Sequence, residues 1–346
     1  MLRRVKLAVH MGYWSGAPVD VMPLVEEAER LGFDSVWSAE AYGSDAVTTV
    51  AWVAARTSDI GVGTAIMQIP ARTPAATAMT AITLDHLSGG RFRLGLGMSG
   101  PQVVEGWHGV SYGKPLAKTR EYVEIVRAVM RRDKPVEHSG EYYTIPASGP
   151  EATGLGKPLK TIVHPLRSDV PIYLAAIGPR NVALAAEIAD GWIPTLYSST
   201  RGREAFEPSL REGFARAGKT GEGFDVVAVC PVMVGDDVQQ CLDMLKPYVG
   251  LYVGGMGARG RNFYNSLVQR YGYEKEAKEI QDLYLDGKKV EAAALVPDEL
   301  VDETSLVGPP ERIRDRLQLW EESGVTTLMA ATLQIDALRA LADASS

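Results

Sequence analysis

Short apolar runs and amphipathic stretches take turns along this chain. The opening run Val5-Lys6-Leu7-Ala8-Val9 reads as a strand, and Gly12 to Pro18 as a loop. Asp20 then caps a helix whose apolar positions Val21, Leu24, Val25, Ala28 and Leu31 follow the i, i+3, i+4, i+7 rule, with Gly32 as its stop. Further strands are predicted near Ser35–Ala39, Ile60–Ile66, Phe92–Gly97, Ile172–Ala176, Trp192–Thr195, Val226–Val234 and Thr326–Ala331, most with a helical pattern behind them. In the last crossover Pro309-Pro310 opens a helix, Ile313, Leu317 and Trp320 line one face, and Gly324 ends it before the strand.

Strands alternating with helices imply parallel pairing. Eight of them in 346 residues favour a closed α/β architecture, the (β/α)8 or TIM barrel, over an open sheet. The expected organisation is one domain over residues 1–346 with two insertions, at about 135–170 and 236–305. The first is rich in Gly, Pro and Tyr; the second reads as helical and charged, with a glycine-rich break at 254–260. Loops of this size are commonly lids, so both are expected over the barrel mouth.

Composition narrows the partners. With 46% hydrophobic residues the chain can bury a large core, and a net charge of −7 gives no general attraction to nucleic acid or to an anionic membrane. No run approaches the roughly 20 apolar residues of a membrane helix, and the N-terminus passes straight into a strand. The expected compartment is the cytoplasm and the expected partner a small molecule. Cys230 and Cys241 lack any metal or disulfide spacing and read as reduced structural thiols.

Several segments carry candidate chemistry. Gly95-Leu96-Gly97-Met98-Ser99-Gly100 matches a dinucleotide fingerprint after a strand, but the helix and the downstream acid that a Rossmann turn requires are missing. Gly178-Pro179-Arg180-Asn181 lies between a strand and a helix, where free backbone N–H groups suit a phosphate; an ordinary tight turn is the equal alternative. Arg72, between Pro70 and Pro74, reads as a basic loop residue. At other strand ends stand His10, Glu40 and Tyr42, which a barrel would converge on its pocket. Glu40 is the better candidate proton donor or relay, against the alternative of a carboxylate tied to N–H groups of the next loop.

Other chemistries find little support. The five histidines show no metal-ligand spacing, no strand ends in a lysine suited to a Schiff base, and no Gly-x-Ser-x-Gly elbow occurs. What remains is a barrel with a phosphate-friendly turn and few reactive side chains, as expected when a cofactor performs the chemistry.

Four segments in order, LGFDSVWSAEAYGSDA, IGVGTAIMQIPARTP, LDHLSGGRFRLGLGMSGPQVVEGWHG and LAAIGPRNVALAAEIADGWIP, resemble the F420-dependent branch of the bacterial luciferase-like proteins. The resemblance spans essentially the whole chain. It implies a TIM barrel with insertions and a deazaflavin, coenzyme F420, at the C-terminal mouth, with FMN as the alternative cofactor. It implies a non-prolyl cis peptide at Ala65–Ile66 under the ring, a phosphate held by Gly178, Pro179, Arg180, Asn181 and Val182, and the side of the ring held by Met98, Ser99 and Gly100.

This chain reads Ala39-Glu40 where several F420 enzymes place an Asp-His pair, so the proton donor stays open between Glu40 and His108. The implied activity is hydride transfer between F420 and a small organic substrate. An FMN monooxygenase, a nicotinamide dehydrogenase and a non-enzymatic F420 carrier are the competing readings. An aromatic-lined mouth from Tyr13, Trp14, Tyr42, Trp107 and Tyr197, with His10, would suit an apolar or cyclic molecule. The resemblance also implies a homodimer.

Overall fold

The computed structural model describes residues 4–14 and 16–345. Its strands are β1 (Lys6–Gly12), β2 (Ser35–Ser38), β3 (Gly61–Thr64), β4 (Met67–Gln68), β5 (Phe92–Gly97), β6 (His138–Ser139), β7 (Thr144–Ile145), β8 (Ile172–Ala175), β9 (Gly191–Ile193), β10 (Asp225–Val234), β11 (Leu306–Gly308) and β12 (Thr327–Ala331). Parallel pairings run β1-β2-β3-β5-β8-β9-β10-β12 and return from β12 to β1. Contacts of Gly191 with Asp225 and of Trp192 with Val226 close the ring between β9 and β10. The third staves consist of β3 and β4, separated by Ala65 and Ile66; β3 pairs with β2 and β5, and β4 continues along β5. This is the expected eight-stranded (β/α)8 barrel.

The local signals act as read. Asp20 Oδ1 accepts from Met22 N at 3.0 Å, Val21, Leu24, Val25 and Ala28 are buried, and Gly32 at φ +76° turns the chain out of its helix. Helices thus lay one apolar stripe on the outside of the barrel.

The inside of the barrel has its own core of Ala8, Trp37, Tyr173, Ile193, Val227, Val229 and Met329. Trp37 is fully buried, meets Tyr173 edge-on at 5.1 Å and donates from Nε1 to Ser35 Oγ at 2.9 Å. A Cβ at Gly63 would come within 2.5 Å of the Trp37 ring, so the strand beside the indole must be glycine there. Removing such a ring costs about 3–5 kcal/mol. The barrel is therefore a plugged cylinder, and a ligand can enter only above this layer.

The two insertions take different paths. In the first, the β6–β7 hairpin lies along the outside of the helix Pro115–Arg131, where Glu121 accepts from the backbone N–H groups of Glu141, Tyr142 and Tyr143 at 2.8–3.0 Å. The segment then returns to the opposite end of the barrel. There Arg167 pairs with buried Asp85 near the end of the helix Pro74–Leu87 and donates to Phe92 O, at the start of β5. The segment 135–170, expected as a lid, packs along the outer helix from its start at Lys114 and Glu121 to Asp85 at the other end.

The second insertion leaves from the C-terminal end of β10. It contains the helices Val238–Gly250, Phe263–Arg270, Glu274–Leu285, Lys289–Ala294 and Asp298–Glu303, and a π-helical turn at Leu251–Gly255. Buried Asn262 joins its parts, donating to Tyr252 O and Val253 O and accepting from Tyr264 N and Asn265 N. Among the described residues no helix is long and apolar enough to cross a membrane.

Candidate active site at the barrel mouth

Ala65, Ile66, Ala175 and Ala331 lie on the inner core and are only partly covered, so they form a floor of small and apolar groups. The Ala65–Ile66 peptide is cis, at the bond the resemblance implied. Gly97 completes the floor, since a Cβ there would press on Ile66 at 2.9 Å, and a Cβ on Gly95 would strike Thr64 O at 1.8 Å. These glycines of the apparent dinucleotide fingerprint therefore serve strand packing. His10, half-buried at the end of β1, brings Nε2 to 3.4 Å from Ala65 O. Burial pushes its pKa below the ordinary imidazole value, and the Ala65 carbonyl opposes that only in part.

Glu40 ends the β2 side of the mouth. Its Oε1 accepts from Gln68 N at 2.8 Å and its Oε2 from Ala46 N at 3.1 Å, while Arg72 grips both oxygens. The Arg72 carbonyl in turn accepts from Tyr122 Oη at 3.2 Å, and burial pushes that phenol up to about 12. A bidentate guanidinium fixes a carboxylate in direction as well as place. Of the two readings of Glu40, the geometry matches the carboxylate tied to the next loop.

Gln68, which the sequence reading passed over, links the remaining candidates. Its side chain is buried; Oε1 lies 2.7 Å from His108 Nε2, and Nε2 donates to Ser99 Oγ at 3.1 Å. Ser99 holds the left-handed conformation at φ +62°, between nearly buried Met98 and Gly100, which precedes the short helix Pro101–Gly106. The missed signal was a single amide-bearing side chain in the otherwise apolar run from Ala65 to Pro70.

Gly178 precedes the helix Pro179–Ile188, with no side chain capping its first turn. Asn181 N and Val182 N turn back onto Gly178 O, and the Val182 side chain is core, so neither the N–H nor the side chain of Val182 is free to face a ligand. Phe263, from the second insertion, covers this turn; a Cβ at Gly178 would lie 2.9 Å from its ring. Arg180 is exposed and lines a groove with Arg120 and Arg216.

The rim is aromatic. Tyr13, Tyr42 and Trp107 are exposed, with the Tyr42 and Trp107 rings 6.5 Å apart. Burial, then the nearby Tyr42, raises the Tyr13 phenol above its ordinary value. Trp14 is half-buried, and its backbone N–H donates to Ser44 Oγ at 2.9 Å, tying the loops after β1 and β2 together. Tyr197 is not on this rim: it is buried against Trp192, Phe206 and Trp320 and donates to Ser323 O at 2.6 Å.

The sequence profile described as luciferase-like monooxygenase matches residues 6–327. Over 341 residues the chain is 48% identical to Rv3520c of Mycobacterium tuberculosis, which is named as a candidate coenzyme F420-dependent oxidoreductase; the match covers 98% of each. Among solved structures, the coenzyme F420-dependent tetrahydromethanopterin reductase of Methanopyrus kandleri superposes with a TM-score of 0.79 at 24% identity, covering 98% of this chain and 97% of that one. An F420-dependent secondary alcohol dehydrogenase, solved with an F420–acetone adduct, reaches 0.78 at 19% identity, covering 99% and 98%. At these identities the two structures show the shared fold.

Proposed function

The chain belongs to the luciferase-like monooxygenase family, and from that premise we propose that it is a cytoplasmic F420-dependent oxidoreductase acting on a small apolar or cyclic molecule. One observation carries the reading: a small-residue floor of Ala65, Ile66, Ala175 and Ala331 shares the mouth with the uncapped helix start at Gly178. A flat ring fits the first, and a phosphate fits the second. When bound, F420 supplies two-electron exchange as hydride. The near-complete match to the mycobacterial relative supports the same cofactor.

The chain's own residues then divide the work. Met98, Ser99 and Gly100 border one side of the ring, and the N–H groups of Gly178 and Arg180, which the helix itself does not use, hold the phosphate. Tyr13, Trp14, Tyr42 and Trp107 form an apolar rim for the substrate, with Phe263 and the second insertion opposite. His108 takes the role of proton carrier, its ring held in place by the 2.7 Å contact of Nε2 with Gln68 Oε1. Glu40 instead positions Gln68 and the loop after β4, its oxygens being engaged by Arg72 and two amides.

Titration of the purified chain with F420 and separately with FMN, followed through quenching of its six tryptophans, tests the reading. Micromolar or tighter F420 binding with FMN much weaker is expected. The opposite preference would replace the proposal with a flavin monooxygenase, and binding of neither would remove the cofactor assignment altogether.

A further inference from the structure

We infer that Gln68 is a positioning residue that sets the tautomer of His108, presenting an Nδ1 lone pair to the substrate. The inference rests on the reading of His108 as the proton carrier. Its observations are the 2.7 Å contact of Gln68 Oε1 with His108 Nε2, the 3.1 Å donation from Gln68 Nε2 to Ser99 Oγ, and the burial of the amide that makes both.

The chain of constraint starts outside the histidine. Arg72 and Ala46 N hold Glu40, Glu40 Oε1 holds Gln68 N, and the Gln68 side chain spans from Ser99 to His108. With its NH2 group given to Ser99, Gln68 offers His108 only a carbonyl oxygen, so Nε2 must carry the hydrogen. A neutral imidazole then has its lone pair on Nδ1. A buried amide that merely filled space would place no such demand on a ring 40 positions away in the chain.

With F420 bound, which would accept the hydride from the C–H of an alcohol as its C–O bond became a carbonyl, His108 Nδ1 would take the O–H proton. The imidazolium so formed keeps Nε2–H on Gln68 and donates Nδ1–H to the product oxygen. In the reducing direction each transfer reverses.

The test needs no cofactor. Long-range 1H–15N correlation of the histidine rings in the cofactor-free chain, with the His108 signals assigned by their loss in His108→Asn, should show Nε2 protonated and Nδ1 bare. In Gln68→Met the tautomers should mix. With F420 and a turned-over alcohol or ketone, kcat should fall about 10- to 100-fold while KM and F420 affinity stay within about twofold. Gln68→Glu, which keeps an acceptor for Nε2–H but favours the imidazolium, should hold the hydrogen on Nε2 and shift the pH dependence of alcohol oxidation upward. A wild-type His108 protonated on Nδ1 overturns the inference even if Gln68→Met fails to fold, as does an unchanged tautomer in Gln68→Met. Because the ring signature is read without F420, its failure is separate from failure of the titration that tests the cofactor.

Discussion

The two insertions both interrupt the β/α alternation at length, one rich in Gly, Pro and Tyr and the other helical and charged, yet one packs along the outer wall and the other starts at the mouth. The difference lies in what each follows. Residues 135–170 come after the helix Pro115–Arg131 and before β8, so they begin at the end of the barrel where strands start. Residues 236–305 come directly after β10, so they begin where strands finish and barrel sites form. Chain direction, more than loop length or composition, decides which insertion can touch a ligand.

The comparison breaks most easily at the first insertion. Arg167→Met would leave Asp85, 1% exposed, without its guanidinium, and should destabilise the fold by about 3–5 kcal/mol. Denaturation should show that loss while the F420 dissociation constant of the folded variant stays within about twofold. A parallel loss of cofactor affinity would mean the first insertion reaches the site after all.

The mouth should behave in the opposite way. Gly178→Val places a side chain against Phe263, displacing the second insertion from the turn. Cofactor binding should weaken by about 10- to 100-fold, because overpacking a filled turn costs about 1–3 kcal/mol. The thermal midpoint should move far less than in Arg167→Met. Equal binding in Gly178→Val and wild type would detach this turn from the cofactor.

A smaller effect separates the two insertions by pH. Burial pushes the Glu121 carboxyl up, but the N–H groups of Tyr142, Glu141 and Tyr143 outweigh it and hold the pKa below the ordinary carboxylate value. A depressed folded pKa gives stability that is complete above the unfolded value, about 4.3, and is lost as pH falls through the folded one. The protection factors of amides 141–143 should therefore fall selectively as pH drops below about 4. Exchange around Asn262, an uncharged anchor, should show no such step, and Glu121→Gln should remove the step from the hairpin.

Most of the frame was legible in the residues. The strands from Val5–Val9 to Thr326–Ala331, the helix stop at Gly32 and the proline start at 309–310 follow from periodicities and caps that act within one or two turns of chain. The turn at Gly178 was legible for the same reason. Tertiary structure alone decided the partners of Glu40, the grouping of Arg180 with Arg120 and Arg216, the withdrawal of Tyr197 into an aromatic cluster and the joining of Gln68 to His108 and Ser99. Each of those depends on side chains from separate β/α units meeting at a strand end. Barrel closure fixes which ends are neighbours, and no local pattern of hydrophobic and polar positions records that distance.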